Sequence, residues 1–252
     1  MRLSAHCFAV TGLAYIPPWS VNAGFVAGEH TTLIVDTGAN ALAAATIHGY
    51  ASAVRPENRI VVIDTERHFD HIGGNGYFRE RGIDVCGHAS IARTADEFRA
   101  EVAEFNAAIP DAARRRLGEA EAFYHRTVLT NPNRPLHTDT TLDLGGCLVE
   151  ILRTPGHTPS NLSVYAPNDG VLFCGDCLIN GYVPNMDAGA ASEWRQWLES
   201  LDRLSRLELR AIVPGHGAPV TGEEIPRVIE SVRRELERAI ARGISPTAAA
   251  KL

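Results

Sequence analysis

Short apolar runs, each closed by glycine, proline or a polar pair, alternate along this chain with longer segments of helical period. Residues 8–11, 24–27 and 31–35 read as strands, and Gly28-Glu29-His30 suits a hairpin turn between the last two. Asp36-Thr37-Gly38 ends that pairing, and an Ala-rich helix is expected over 39–54, stopped by Pro56 and Asn58. The β-branched run Arg59-Ile60-Val61-Val62-Ile63 is the next strand. After it a helix is expected from about Ile72 or Gly76 to Arg81, capped by Gly82, and then a strand over 83–86.

From 89 to 124 the pattern is helical and breaks at Pro110: Phe98, Val102 and Phe105 recur at helical spacing, as do Leu117, Ala120 and Phe123 beside Tyr124. This reads as a helical insertion at about 89–130, either a lid or substrate wall or a helical pair packed elsewhere. Residues 131–135 read as a rigid connector. Strands follow at 141–144 and 147–152, joined by Gly145-Gly146, then a hairpin of 162–165 and 171–174 around Pro167-Asn168-Asp169-Gly170. An irregular stretch runs from Asp176 to Ala190, then a helix over 192–206 that starts at Ser192, a strand over 210–213, a final helix over 225–242 and a loose tail beyond Gly243. Strands followed by a helix, repeated in two halves, predict an α/β fold of two packed sheets with helices outside and a site along one sheet edge.

Composition changes this picture little. At 252 residues with 45% hydrophobic and 21% charged residues, the chain is long enough for one large core. A net charge of -6, without a dense basic run, argues against a nucleic-acid partner. Nothing in the apolar runs is long enough for a membrane span, and the first residues lack the apolar core of a signal peptide. Five scattered cysteines fit a reducing compartment, so a cytoplasmic location is expected. Cys174 and Cys177 bracket Asp176 and read as ordinary buried cysteines beside a site.

The chemistry concentrates where the 59–63 strand ends, in Glu66, His68, Asp70 and His71. On an extended loop Glu66, His68 and Asp70 share one face and His71 points elsewhere, so one short segment can address two neighbouring metal positions. His157, Asp176 and His216 each follow an apolar strand and sit among Gly or Pro. Any one of them alone is an ordinary loop residue; as a set they exceed the four ligands of a closed structural zinc site and suit two metals bridged by a carboxylate and a hydroxide.

Asp36-Thr37-Gly38, the 66–71 cluster, Thr154-Pro155-Gly156-His157-Thr158, Gly175-Asp176 and Pro214-Gly215-His216-Gly217 together resemble the metallo-β-lactamase-fold proteins, over nearly the whole chain. The resemblance implies a single αββα domain over 1–252, with two mixed sheets inside and helices outside. It implies two divalent ions, most simply zinc, with manganese or iron as alternatives. His68 and His157 would hold the first, Asp70, His71 and His216 the second; Asp176 would bridge, and Asp36 would orient the motif loop from behind. Glu66 departs from the pattern, which has a third histidine there. It either ligates as a carboxylate, swings away to leave one working metal, or marks a protein that has lost turnover; ligation is favoured because a Glu reaches where a His would.

On this footing the expected activity is hydrolysis of an ester, thioester or lactone carbonyl in a small, partly hydrophobic substrate, through a metal-bound hydroxide, with Asp70 orienting the water or carrying its proton. A β-lactamase, an iron-dependent oxygenase and a metal-binding module without turnover are the alternatives. Tyr182 is a candidate oxyanion donor, and Asn180 and Asn185 are candidate substrate contacts. Ser160, Asn161 and His88 read as structural, Phe69 as packing under the motif, and Phe98, Phe105 and Phe123 as an apolar wall. The long final helix offers a surface for a homodimer.

Overall fold

Alternation in the third strand sets the layers. Within β3 (Thr31–Val35), Leu33 and Val35 face one side and Ile34 the other, and all three are buried. A strand buried on both faces needs cover on both, and this computed structural model, which describes residues 1–13, 20–109, 111, 127–181, 184–186 and 190–243, supplies it.

One sheet carries β1 (Cys7–Val10), β2 (Ala23–Ala27), β3, β4 (Arg59–Ile63), β5 (Val85–His88) and β6 (Arg134–Leu136), in that order. β1 to β3 are antiparallel and β3 to β6 parallel. The other runs β12 (Val220–Thr221), β11 (Ala211–Val213), β10 (Val171–Phe173), β9 (Leu162–Ala166), β8 (Leu148–Arg153) and β7 (Thr140–Asp143), with only the β10–β11 pair parallel. Leu33, Val35 and Ile63 meet Val149, Ile151, Val164 and Phe173 between the sheets. The outer face of the first sheet packs Ile34 and Val62 on Ala44, Ile47 and Phe78 of α1 (Ala41–Val54) and α3 (Asn75–Arg79). The outer face of the second packs Leu172 and Ile212 under α5 (Ala191–Leu204) and α6 (Glu224–Arg242), with Trp197 fully buried between. The result is the αββα sandwich expected above.

Several local expectations shift. The helix expected from 72 or 76 is two short ones, α2 (Phe69–Ile72) and α3. The strand expected over 83–86 lies two residues later, as β5, because Ile83 closes the α3 turn by donating its amide to the Phe78 carbonyl. The connector over 131–135 runs into β6, where Pro135 sits at the sheet edge and needs no amide hydrogen. Helix α5 starts at Ala191, one residue before Ser192, because the Glu193 carboxylate accepts from the Ala190 amide at 2.9 Å. The apolar face of α6 (Ile225, Val228, Ile229, Val232, Leu236) is buried in the chain's own core.

In the insertion, α4 (Ala95–Ala108) begins with a Thr94/Glu97 capping box. Phe98 is 3% exposed and packs with Ile72 and Ile91, so it belongs to the core and not to a substrate wall. Val102 packs with Phe69 and Ile109, which brings α4 against the motif helix α2. The Phe105 side chain, Leu117, Ala120, Phe123, Tyr124, Tyr182 and the tail beyond Gly243 lie outside the described residues. Among the described residues no helix is long and apolar enough to cross a membrane.

Candidate metal centre

The site grows from the ends of strands. β4 delivers Asp64 to His68 as an extended loop, and the chain turns helical at Phe69, with His68 as the residue before the helix at φ −69°, ψ 151°. That turn breaks the alternation expected for 66, 68 and 70. Glu66 and His68 gather with His157 and Asp176, while Asp70 leaves that face and joins His71 and His216. Helix geometry is the reason: consecutive residues 70 and 71 sit about 100° apart around α2, close enough to serve one position.

In the first group, Glu66 Oε1 lies 2.7 Å from His68 Nδ1 and 3.7 Å from His157 Nε2. His157 Nε2 is 3.1 Å from His68 Nδ1 and 3.4 Å from Asp176 Oδ2. In the second, His216 Nε2 is 3.1 Å from Asp70 Oδ2 and 3.4 Å from Asp176 Oδ1, and His71 Nε2 is 3.3 Å from the same Asp176 oxygen. Asp176 therefore offers one oxygen to each group.

Three of the four histidines are aimed by their other nitrogen. His71 Nδ1 donates to Asp36 Oδ2 at 2.9 Å, His157 Nδ1 to the Asn185 carbonyl at 3.0 Å, and His216 Nδ1 to the Ser20 carbonyl at 3.0 Å. With Nδ1 committed, each Nε2 faces the cluster and offers a lone pair there once the ring gives up its second proton, as metal binding requires. Asp36 adopts φ 63°, rare for a residue with a side chain, and from there accepts from the Thr65 amide at 2.7 Å and the Thr65 hydroxyl at 2.8 Å. Its backbone is held out of the ordinary regions so that one carboxylate can grip both the motif loop and a ligand. Gly215 solves a different problem: a Cβ there would collide with Asp176 Oδ1.

Several supporting residues give no sequence signal of their own. Asn22 donates to the carbonyls of Pro214 at 2.9 Å and Gly217 at 2.7 Å, tying down the loop that carries His216. Asn75 donates to Asp64 Oδ2 at 2.7 Å, and Thr37 donates to the His71 carbonyl at 3.0 Å. Burial pushes the Asp64 carboxyl well up, against the opposing pull of the Asn75 hydrogen bond. Asn161 donates to Thr154, Leu162 and Cys174 and joins two of the site loops.

Burial opposes every charge here, and the partners decide the outcome. Burial would lift Asp70, but His71 and His216 hold it down at about 2; Asp176 is held well below the carboxylate range by His216 and His71 in the same way. Burial would lower His68 and His216, yet Glu66 raises the first to about 9, and Asp176 with Asp70 raises the second to about 11. His157 is lowered, because for it burial outweighs the carboxylates.

Glu66 Oε2, His71 Nε2 and Asp176 Oδ1 are buried and make no hydrogen bond among the described residues. Lone pairs turned toward one another in a dry space call for a cation between them. Apart from the 2.7 Å Glu66–His68 hydrogen bond, donor separations of 3.1–3.7 Å match the edges of a coordination polyhedron with bonds of about 2.1 Å. The donor set fits two divalent ions.

Among the substrate candidates, Asn180 turns its side-chain amide to the Ala218 carbonyl at 2.9 Å, and Asn185 serves through its backbone carbonyl with an exposed side chain. Ser160 pairs with Thr158, and His88 with Ser90. Phe69, Cys174 and Cys177 are fully buried, and burial pushes the Cys177 thiol up to about 12. A separate His6–Asp169 pair at 2.9 Å beside Cys147 lies where the start of β1 meets the turns before β8 and β10.

Two packed mixed sheets and a donor cluster at their strand ends define a metallohydrolase-type architecture. The chain belongs to the metallo-beta-lactamase superfamily, whose family model matches residues 16–216. It is 27% identical over 146 residues to a hydroxyacylglutathione hydrolase of Thermosynechococcus vestitus, a match that spans 58% of this chain and 44% of that one. It is 32% identical over 106 residues to a linear primary-alkylsulfatase of Pseudomonas sp., covering 41% of this chain and 19% of that one. The matched stretches thus span less than half of these curated relatives. A metallo-beta-lactamase from Pontibacter korlensis superposes with a TM-score of 0.68 over 94% of this chain and 97% of that one, at 19% identity, a likeness of fold.

Proposed function

We propose that the protein is a binuclear metal-dependent hydrolase that cleaves a carbonyl ester, thioester or lactone of a small, partly hydrophobic molecule. The observation that carries this reading is Asp176, whose two oxygens address two separate donor groups at 3.3–3.4 Å. Zinc suits the imidazoles, and the carboxylates also suit manganese or iron. Bound there, such ions supply Lewis acidity and an acidified water.

The chain's own residues supply the rest. Asp36, Asn185 and Ser20 fix the ring orientations, so the donors are in place before substrate arrives. Asp70, 7% exposed and 3.1 Å from His216 Nε2, is held ionised by His71 and His216 and serves to orient a water. The sequence relatedness to hydroxyacylglutathione hydrolase favours a thioester first.

The test is turnover by metal-reconstituted protein on parallel thioester, lactone, ester, lactam and alkyl sulfate substrates. Thioester or lactone turnover that disappears with a chelator and returns with metal supports the reading. Activity on the lactam or the alkyl sulfate alone replaces it.

A further inference from the structure

The resemblance drawn from the sequence motifs implies a histidine where this chain has Glu66. Its geometry reaches further. Oε1 lies 2.7 Å from His68 Nδ1 and 3.7 Å from His157 Nε2, which sets it in the first group. The same atom lies 3.4 Å from His71 Nε2, which belongs to the second.

His71 makes the comparison sharp. Its Nδ1 is committed to Asp36, and its Nε2 is flanked by two carboxylate oxygens, Asp176 Oδ1 at 3.3 Å and Glu66 Oε1 at 3.4 Å. If the Asp176 oxygen is close enough to share an ion with His71, so is the Glu66 oxygen. Glu66 is 0% exposed, so no solvent competes for it, and its Oε2 makes no hydrogen bond that would draw the carboxylate away. The residue type matters as well. An imidazole nitrogen has one lone pair and serves one ion, whereas a carboxylate oxygen has two and can serve both.

We infer that Glu66 bridges the two metal positions through Oε1, a second shared carboxylate beside Asp176. The inference rests on the binuclear reading above and adds that the two positions fill as a unit. It also places three carboxylates (Glu66, Asp70, Asp176) on the pair, which moves its preference toward harder ions than a histidine-rich pair would have.

Cobalt titration of metal-free protein, followed by visible absorption and EPR, tests this in the wild type, Glu66→His and Glu66→Asp. His returns a third nitrogen to the first position without a second reach; Asp keeps the charge and shortens the arm. In the wild type, both ions enter together and the spin-coupled pair is already present at half-loading. In both variants the first equivalent gives an isolated-ion spectrum, and the second ion binds about tenfold or more weakly. Two ions bound by Glu66→His with unchanged affinity for the second overturn the bridge. Should the variants not fold, the wild type decides alone, since an isolated-ion signal at half-loading also overturns it. A coupled pair without hydrolysis of any substrate overturns the proposed function and leaves the bridge standing; a wild type that binds a single ion removes both.

Discussion

The two donor groups on either side of Asp176 are built to different standards. Around the second, His71 is fully buried and gripped by Asp36, which also clamps Thr65, and the His216 loop is fastened by Asn22 at two carbonyls. Around the first, the His68 side chain is 29% exposed, and His157 is aimed by one backbone carbonyl, that of Asn185. The contrast rests on His68, whose side chain alone among these donors reaches solvent to that extent; Glu66 and His157 are as buried as the donors of the second group. Glu66 stands beside His68 in the first half, itself fully buried.

The strongest test of that contrast removes what the halves share. Asp176→Ala should lose both ions by elemental analysis and lower kcat more than about a thousandfold, as chelation of the wild type should. Retention of one tightly held ion would show that one half stands without the bridge. Next in size is Asp36→Asn. Asparagine tolerates φ near 63°, so the backbone keeps its shape while the charge behind His71 is lost. Metal binding should weaken by about 10–100-fold, as read by calorimetric titration.

How far each half was legible follows the same contrast. The candidate donors stood out because Glu66, His68, Asp70 and His71 crowd into one short loop and His157, Asp176 and His216 each follow a strand. The sandwich stood out because strands such as β3 and β4 end in unbroken apolar runs, Leu33 to Val35 and Ile60 to Ile63. The braces did not. Asn22 lies 192 residues from the carbonyl of Pro214 that it holds, and a lone asparagine in a loop has no local pattern. Two-residue β12 is too short to show a period, and the partition of 66, 68 and 70 changed because the helix starts at Phe69, a boundary set by packing. Phe98 has helical spacing whether it faces a cleft or a core; only its contact with Ile72 decides.

A brace can therefore be broken without touching a ligand. Asn22→Ala leaves the Pro214 and Gly217 carbonyls without their donor in a buried place, at about 1–3 kcal/mol of stability by denaturant unfolding. Asn185→Ala should leave the aim of His157 intact, since the acceptor is a backbone carbonyl that alanine also has. A larger loss at Asn185 than at Asn22 would invert the ranking of the two halves.

Smaller again is a pH effect in the metal-free protein. His68 and His216 are raised from 6.5 to about 9 and about 11, so the folded state holds their protons more tightly than the unfolded state does. The stability they contribute is full below about pH 6.5 and is lost as the pH rises through 9 and then 11. Metal binding has the opposite sign, because an ion must displace those protons. Between pH 6.5 and 9 the metal-free Tm should fall while metal affinity climbs. A metal-free Tm that rises across that window would show that the carboxylates do not hold these imidazoles charged.

The smallest effect separates two accounts of the first half. A carboxylate at 66 adds negative charge beside the metal positions, which weakens the Lewis acidity there and raises the pKa of a water held by it. Glu66→His removes that charge, so the acidic limb of the pH–rate profile should move down, with Tm changed less than in Asn22→Ala. If Glu66 reaches both positions, the limb moves and the second ion loosens together in this one variant. If it reaches only the first, the limb moves alone. An unmoved limb would take Glu66 away from the metals altogether, and the distances of 2.7 and 3.4 Å to His68 and His71 would then describe a buried ion pair that holds the motif loop shut.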